Sequence, residues 1–289
     1  MSLAPFVRAD GGAHLSIDPQ KLQETFPTLK DKAWNISSPS HLASWERLRA
    51  RHGFDKFDSV PCDLFVWATG EAPDPRLTRV GGAPFLPKRR SWPKIRGHDA
   101  TFLCQFDFRD SSDFIGDLPG DLLLVFVADI FQSPLMGRVE DMHFEWVSAD
   151  EGEIWTAGQV PRTTSETSVT AWGVRYRSYD LLDAWDAAFK LDDGMFQLPV
   201  LRGTKIGGIP CASQDVFDEA PKGFLCQLVS IQAASTEWPW CDRKEPLHQS
   251  FGDEDSRHAD QHSFMIGDMG ELTLCLKPDG SIETTSGCA

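Results

Sequence analysis

Long apolar runs are missing from this sequence. No stretch reaches the roughly 18 apolar residues of a membrane-spanning helix. The first residues also lack a charged segment followed by an apolar stretch, as a secretory signal would have. We therefore expect neither a membrane span nor a signal peptide.

The chain also lacks any Cys-x-x-Cys pair, which argues against a zinc ribbon and a thioredoxin-like redox motif. Its seven cysteines are an odd number, and several lie inside apolar runs such as FLCQF and LTLCLK. A free thiol in such a run behaves as a small core hydrophobe. Reduced thiols predict a cytoplasmic protein.

Positively charged residues are scarce: the chain has 28 Lys and Arg but 43 Asp and Glu, which gives a net charge of −15. Such a field repels nucleic-acid backbones and anionic lipid surfaces, so we expect neither as a partner. With 289 residues, 41% of them hydrophobic, the chain can bury a sizeable core.

Catalytic and nucleotide-binding motifs are missing as well. The sequence contains no G-x-S-x-G, no G-x-G-x-x-G and no G-x-x-x-x-G-K-[ST]. The stretch HFEWVSADEGE would place His143 and Glu145 on one face of a strand, but ordinary polar strand faces have the same pattern. We therefore name no catalytic residue, no cofactor and no metal ligand, and we favour a non-enzyme.

What the chain does contain is a set of three anchors that recurs in the same order. The tetrapeptide FLCQ occurs at 102–105 and at 224–227. Each copy follows a Gly-Gly-x-Pro stretch, in RVGGAPFLP and in KIGGIPCAS, and each precedes a Gly-Asp motif that leads into an apolar run. This order predicts a divergent tandem duplication with pseudo-twofold symmetry, in which Gln105 and Gln227 are equivalent.

The anchors also predict the domain organisation. We expect one compact globular domain in which the second copy carries a long insertion on a surface loop. The predicted segments are an N-terminal cap (1–60), a first β unit (61–130), connecting strands and a helix (131–202), and a second β unit (203–289) with its insertion (233–262).

Short aromatic and aliphatic runs bounded by turn residues predict a mostly antiparallel α+β fold with few packing helices. One helix is expected from a cap at Ser38 or Ser40 to Gly53. A second is expected within 180–194, where Leu181, Trp185 and Phe189 recur at helical spacing. Strands are expected within 62–71, 101–108, 121–129, 143–150, 169–180, 223–231 and 271–280.

The candidate ligand-binding residues surround the repeated turns. Paired glycines can adopt positive φ, so each turn either feeds a strand or forms a nest of backbone N–H groups for an anion or a carboxylate. The basic run after the first turn could hold an anionic ligand, although a solvated loop has the same composition. Each buried glutamine needs partners, either in the backbone near its own turn or in a ligand. The candidates are Gly81, Gly82, Pro84, Arg89, Arg90, Trp92, Gln105, Gly207, Gly208, Pro210 and Gln227.

The insertion contains the stretch HQSFGDEDSRHADQHSFMIGD. On a helical turn, His258 and His262 would share one side with Asp255. Two histidines and a carboxylate can hold zinc or iron with positions open for water. A metal-dependent enzyme that uses residues 248–262 is therefore the alternative, but the Ser, Gly and Asp content favours a solvated, partner-facing loop.

The motifs VGGAPFLP, SWP, FLCQFDF and GDLLLVFVAD, with KIGGIP, FLCQL and GDMGELTLCL in the second copy, resemble the YwqG-like family of uncharacterised bacterial proteins. The resemblance covers about residues 75–130 and 203–277. It implies a fold and no reaction, and it suggests an immunity-type or other partner-binding role. We therefore predict a cytosolic, non-enzymatic binding module for a protein partner or a small ligand, and the sequence leaves its oligomeric state open.

Overall fold

A computed structural model describes residues 58–69, 72–128, 139–161, 170–182, 200, 203–210, 222–230, 266 and 270–287. These residues form twelve strands, one short α-helix and two 3-10 turns, at Arg109–Ser111 and Val139–Asp141. The elements are β1 (Ser59–Thr69), β2 (Arg79–Val80), β3 (Lys94–Ile95), β4 (His98–Asp99), β5 (Thr101–Asp107), α1 (Ser112–Ile115), β6 (Leu122–Val127), β7 (Met142–Val147), β8 (Ala171–Leu181), β9 (Lys205–Gly207), β10 (Phe224–Val229), β11 (Glu271–Leu276) and β12 (Ile282–Gly287).

Ten of the strands form one sheet in the order β12-β11-β10-β9-β1-β8-β2-β5-β6-β7, and β3 and β4 form a separate hairpin. Every pair in both sheets is antiparallel. The prediction of a mostly antiparallel β fold is therefore confirmed. The α+β label is met only loosely, because the described residues contain a single α-helix of four residues.

The strands on the two sides of the central pair β1–β8 follow one another in chain order, away from the centre of the sheet. On one side lie β2, β5, β6 and β7, which with β8 we call the β8 half; on the other lie β9 to β12, which with β1 we call the β1 half. Gln105 lies opposite Arg79 of β2, and Gln227 lies opposite Lys205 of β9. Each FLCQ strand also has a register irregularity between its phenylalanine and its cysteine.

The sheet carries apolar side chains on both faces, which is why its inner strands are continuous apolar runs rather than alternating ones. All residues of β5 and β6 are buried. The main core runs across both halves on one face and includes Phe65, Trp67, Cys104, Phe106, Val125, Ile206, Cys226, Leu228 and Leu272. On the other face, Phe85, Leu86, Trp92 and Ile95 cover Phe102, Leu124 and Phe126 of the β8 half.

The structure corrects the start of one predicted helix. Leu181 belongs to β8, where it pairs with Ser59, because the eleven-residue ladder with β1 extends the strand past the expected boundary. The rest of that helix, the helix expected to end at Gly53, and the insertion with His258 and His262 lie outside the described residues. The segment boundaries stay a prediction, although β1 already begins inside the expected cap.

No helix in the described ranges could span a bilayer. Four cysteines in those ranges (Cys62, Cys104, Cys226 and Cys275) are buried and form no disulfide. Burial raises the pKa of the thiols of Cys104, Cys226 and Cys275, so these groups are protonated packing residues at neutral pH.

Candidate functional site

Both Gly-Gly turns adopt the left-handed backbone that the sequence predicts. The φ angles are 65° and 70° at Gly81 and Gly82, and 65° and 76° at Gly207 and Gly208. The prolines that follow, Pro84 and Pro210, are buried. Because L side chains rarely adopt such φ angles, the turns require glycine for a backbone reason alone.

The second turn holds a carboxylate that the chain itself supplies. Asp180 Oδ2 accepts the backbone N–H of Ile209 at 2.9 Å and the ammonium of Lys205 at 2.6 Å. The side chains of Asp180 and Lys205 are both fully buried. A Cβ added at Gly208 would lie 2.3 Å from Asp180 Oδ2 and 2.8 Å from the Cβ of Cys62. The second turn thus donates one backbone N–H to a carboxylate of its own chain, and binding of an outside anion there stays a prediction.

Gly208→Ala should therefore destabilise the protein through two effects. Left-handed strain costs about 1–2 kcal/mol, and overpacking against Asp180 and Cys62 adds about 1–3 kcal/mol. Gly280→Ala is the matched control, since Gly280 has φ 84° but no atom within 4 Å of an added Cβ. Denaturant unfolding of both variants should show the larger loss at Gly208, and equal losses would contradict the packing argument.

The two FLCQ glutamines are fully buried and bond to backbone near their own turns. Gln105 Oε1 accepts the N–H of Phe85, and its Nε2 donates to the carbonyls of Pro75 and Leu77, each at 2.8 Å. Gln227 Nε2 donates to the carbonyl of Gly203 at 2.7 Å. The prediction of a backbone lock is confirmed, whereas a role for either glutamine in ligand binding stays a prediction.

Replacing Gln105 tests this lock. Gln105→Met keeps the length of the side chain but leaves the Phe85 N–H and two carbonyls without their hydrogen-bond partner. We expect the free energy of unfolding to fall by about 1–3 kcal/mol for each unsatisfied buried group. Gln105→Glu should be worse at neutral pH, because it turns an anionic oxygen toward two carbonyl oxygens in a buried site. Urea unfolding at pH 7 compares the two, and a Glu variant as stable as the Met variant would contradict the assigned geometry.

The basic run after the first turn is paired with acids of the same chain. Arg89 and Arg90 both bond to Glu151, at 2.5 and 2.9 Å, and Arg90 also bonds to Glu145. Burial raises the pKa of Glu151, but the hydrogen bond from Arg89 and the charge of Arg90 hold it below its usual value. Trp92 is buried and donates its indole N–H to the carbonyl of Ala100 at 2.8 Å. Binding of an outside anion by Arg89, Arg90 or Trp92 stays a prediction.

The structure adds a charged group that the sequence interpretation missed. We call Asp63, Ser111, Asp113, Arg175 and Arg177 the junction cluster. Arg175 Nη1 and Arg177 Nε each bond to a different oxygen of Asp63 at 2.5 Å, and Ser111 Oγ donates to Asp63 at 2.7 Å. Arg177 also forms two bonds to Asp113, at 2.7 and 3.1 Å.

The junction cluster extends from the core to the surface. The side chain of Asp63 is fully buried, whereas that of Asp113 is 63% exposed. Arg175 lies 5.4 Å from the ring centroid of Phe65. Burial lowers the pKa of Arg177, but its hydrogen bonds to Asp113 and Asp63 outweigh that effect and raise it. The guanidinium of Arg177 is thus held charged.

The second Gly-Gly turn packs directly against this cluster. The guanidinium carbon of Arg177 lies 4.6 Å from the ring centroid of Phe114 in α1. A Cβ added at Gly207 would lie 2.4 Å from Cε2 of the same ring. The connection between β5 and β6, residues 108–121, which we call the strap, therefore reaches from the β8 half onto the β1 half. The arrangement fixes the strap through ion pairs in which Asp63 and Asp113 are bonded to arginines of the same chain.

A sequence signal for the junction cluster did exist. Asp63 is an acidic residue inside the apolar run CDLFVW, and Arg175 and Arg177 alternate along VRYRS, which places both on one face of a strand. Within the described ranges, no group of three or more His, Cys, Asp or Glu is arranged to hold a metal ion. The proposed ligands His258 and His262 fall outside those ranges.

Comparison with known proteins gives a family but no activity. A comparison with curated proteins found no match. A domain of unknown function, DUF1963, matches residues 78–280, a range that includes both Gly-Gly turns, both FLCQ strands and the insertion. The expected membership of an uncharacterised family is thus supported, while the YwqG-like name stays a prediction. The matched range covers most of the 289 residues, so this chain belongs to the DUF1963 family.

Proposed function

We propose that this chain is a non-enzymatic protein-interaction module of the cytoplasm, built on a duplicated β scaffold. The observation that carries the proposal is the internal pairing of its conspicuous polar groups. Gln105 bonds to backbone, Arg90 to Glu145 and Glu151, and Asp63 to two arginines.

Such pairing suits a scaffold better than a reaction centre. A general base or a nucleophile needs an accessible lone pair directed at a substrate. Here the buried carboxylates of Asp63 and Asp180 are both occupied by cations of the same chain. Charges used in this way fix strands and turns, and a rigid framework that carries variable loops is a common basis of recognition.

The duplication is supported by equivalent bonds in the two halves. Thr78 Oγ1 accepts the N–H of Asp107 at 3.0 Å, and Thr204 Oγ1 accepts the N–H of Val229 at 3.0 Å. The carbonyls of the same two threonines each accept an N–H from the central strands, at 2.9 Å from β8 and at 3.0 Å from β1. Unrelated halves would have no reason to share both bonds and their register.

In this interpretation the insertion, residues 233–262, is the recognition element. It joins β10 to β11, the connection that corresponds to the strap between β5 and β6. A net charge of −15 favours a basic protein as the partner, because opposite charge accelerates encounter and suppresses wrong partners. An immunity-type role, in which the chain masks such a protein, fits this chemistry.

The experiment compares the wild-type chain with a variant in which 233–262 is replaced by a short Gly-Ser linker. Both are used for affinity capture, and any protein bound by the wild type alone is purified and titrated against both by calorimetry. We expect at least about tenfold weaker binding by the linker variant, with an unchanged thermal midpoint. Equal binding by both chains would refute the insertion as the recognition element.

The metal-dependent enzyme is tested separately. The full chain is titrated with Zn²⁺ and Fe²⁺, and its bound metal is compared with that of the His258→Ala/His262→Ala variant. Metal bound in stoichiometric amount and lost in the variant would overturn the non-enzymatic proposal. Weak binding that both chains share equally would support it.

A further inference from the structure

The strand β7 forms one edge of the ten-stranded sheet. Among the described residues it pairs with β6 alone, over six positions and without a register shift. The N–H of Ala128 donates to the carbonyl of Asp141 at 2.9 Å, which establishes which alternate residues bond inward to β6. The outward N–H and C=O groups therefore belong to Met142, Phe144 and Trp146.

Strand β7 itself has few of the features that protect a sheet edge against strand addition, although Arg90 bonds to the outward carbonyl of Trp146. Natural edge strands are commonly interrupted by proline, by lysine or by a bulge. The residues of β7 are MHFEWV, with none of these features. Its first five residues are half-buried, and Met142, Phe144 and Trp146 pack partly against the main core. The edge is thus regular and partly apolar.

The sequence of β7 is complementary to itself in an antiparallel pair. With Phe144 opposite its own symmetry copy, Met142 faces Trp146, so all the outward backbone groups form hydrogen-bonded pairs. In the same register, His143 faces Glu145 of the other copy on the opposite side of the sheet, where it also lies 3.0 Å from Glu145 of its own chain. One face then stacks aromatic rings and a thioether, and the other alternates an imidazole with a carboxylate.

We propose that a second copy of this chain adds its β7 antiparallel to the first, centred on Phe144, and so continues the sheet across a twofold axis. This inference does not rest on the proposed function. Arg90 already donates to the Trp146 carbonyl at 2.9 Å, and that oxygen keeps a second lone pair for the N–H of Met142 of the other copy.

The opposite edge of the sheet is less suited to self-association. In β12 the bond from the N–H of Lys277 to Ser281 at 2.9 Å directs the backbone groups of Ile282, Thr284 and Ser286 outward. That row has one apolar side chain, and no positive residue stands in the strand to face Glu283. Charge and apolar pattern therefore select β7 as the dimer edge.

The test measures mass by sedimentation equilibrium for the full chain and two proline variants. Phe144→Pro removes the central outward N–H and places a ring at the twofold axis, while the bonds of β7 to β6 remain. Ser286→Pro makes the same change at the outward edge of β12 and is the matched control. We expect twice the chain mass for the wild type and for Ser286→Pro, and a monomer for Phe144→Pro.

A second variant tests the dimer if Phe144→Pro does not fold. If circular dichroism shows that Phe144→Pro is unfolded, His143→Glu decides, because it puts like charges opposite each other twice in each dimer. The side chain of His143 is 39% exposed and lies 3.0 Å from Glu145 of its own chain. Arg90 also bonds to Glu145, so the monomer should tolerate the change although it loses this contact. Its dimer should be about tenfold weaker. A wild-type chain that is monomeric at about 100 µM, a dimer unaffected by both changes at β7, or a dimer lost in Ser286→Pro would each overturn the proposal.

Discussion

Asp63→Ala is expected to lower the free energy of unfolding by about 3–5 kcal/mol, the range found when one partner of a buried ion pair is removed. The substitution leaves Arg175 and Arg177 without the carboxylate that both of them contact at 2.5 Å, and it also removes the acceptor of Ser111. The loss should appear in urea unfolding at neutral pH.

Asp113→Ala is the matched control, since Asp113 bonds to the same Arg177 but its side chain is 63% exposed. Ion pairs at the surface are worth about 0–1 kcal/mol, so this variant should stay close to the wild type. A loss at Asp63 no larger than the loss at Asp113 would show that the junction cluster does not hold the two halves together.

Lys205→Met is expected to have an effect of similar size, about 3–5 kcal/mol. It preserves much of the side-chain volume but removes the ammonium 2.6 Å from Asp180, and both side chains are fully buried. Asp180 would retain the N–H of Ile209, which does not neutralise a buried carboxylate. The measurement is again the free energy of unfolding.

A double-mutant cycle separates this pair from general damage to the core. Lys205→Met/Asp180→Asn removes both charges, so it should lose clearly less than the sum of the two single variants, with a coupling energy of about 2 kcal/mol or more. Strictly additive losses would mean that the pair does not act as a unit at the second Gly-Gly turn.

Local sequence patterns identified both Gly-Gly turns and seven of the twelve described strands, but not β2, β3, β4, β9 or β12. FLCQ and the apolar runs after the Gly-Asp motifs are short and bounded by turn residues, which is typical of buried strands. The four turn glycines were identified because only glycine readily adopts positive φ, and all four do so. The backbone lock of Gln105 followed from the need of a buried amide for partners.

Contacts between distant parts of the chain could not be predicted in the same way. The junction cluster joins Asp63 to Arg175 and Arg177, which lie more than a hundred positions later. Likewise, Arg90 finds Glu145 and Glu151 only because residues 88–92 fold back beside β7. A pattern within a short stretch of sequence does not reveal ion pairs between remote residues. The composition of the basic run therefore suggested an outside anionic ligand as well as a solvated loop.

The sequence by itself determined seven of the twelve described strands and the conformation of the Gly-Gly turns, because each depends on residues close together in the chain. Only the tertiary structure decided that β1 and β8 form the centre of the sheet, that Leu181 extends β8 instead of starting a helix, and that Asp180 bonds to the second turn. These outcomes depend on antiparallel pairing and on the burial of charges between segments that are far apart in the chain. A short stretch of sequence does not indicate which remote strand it pairs with or in which register.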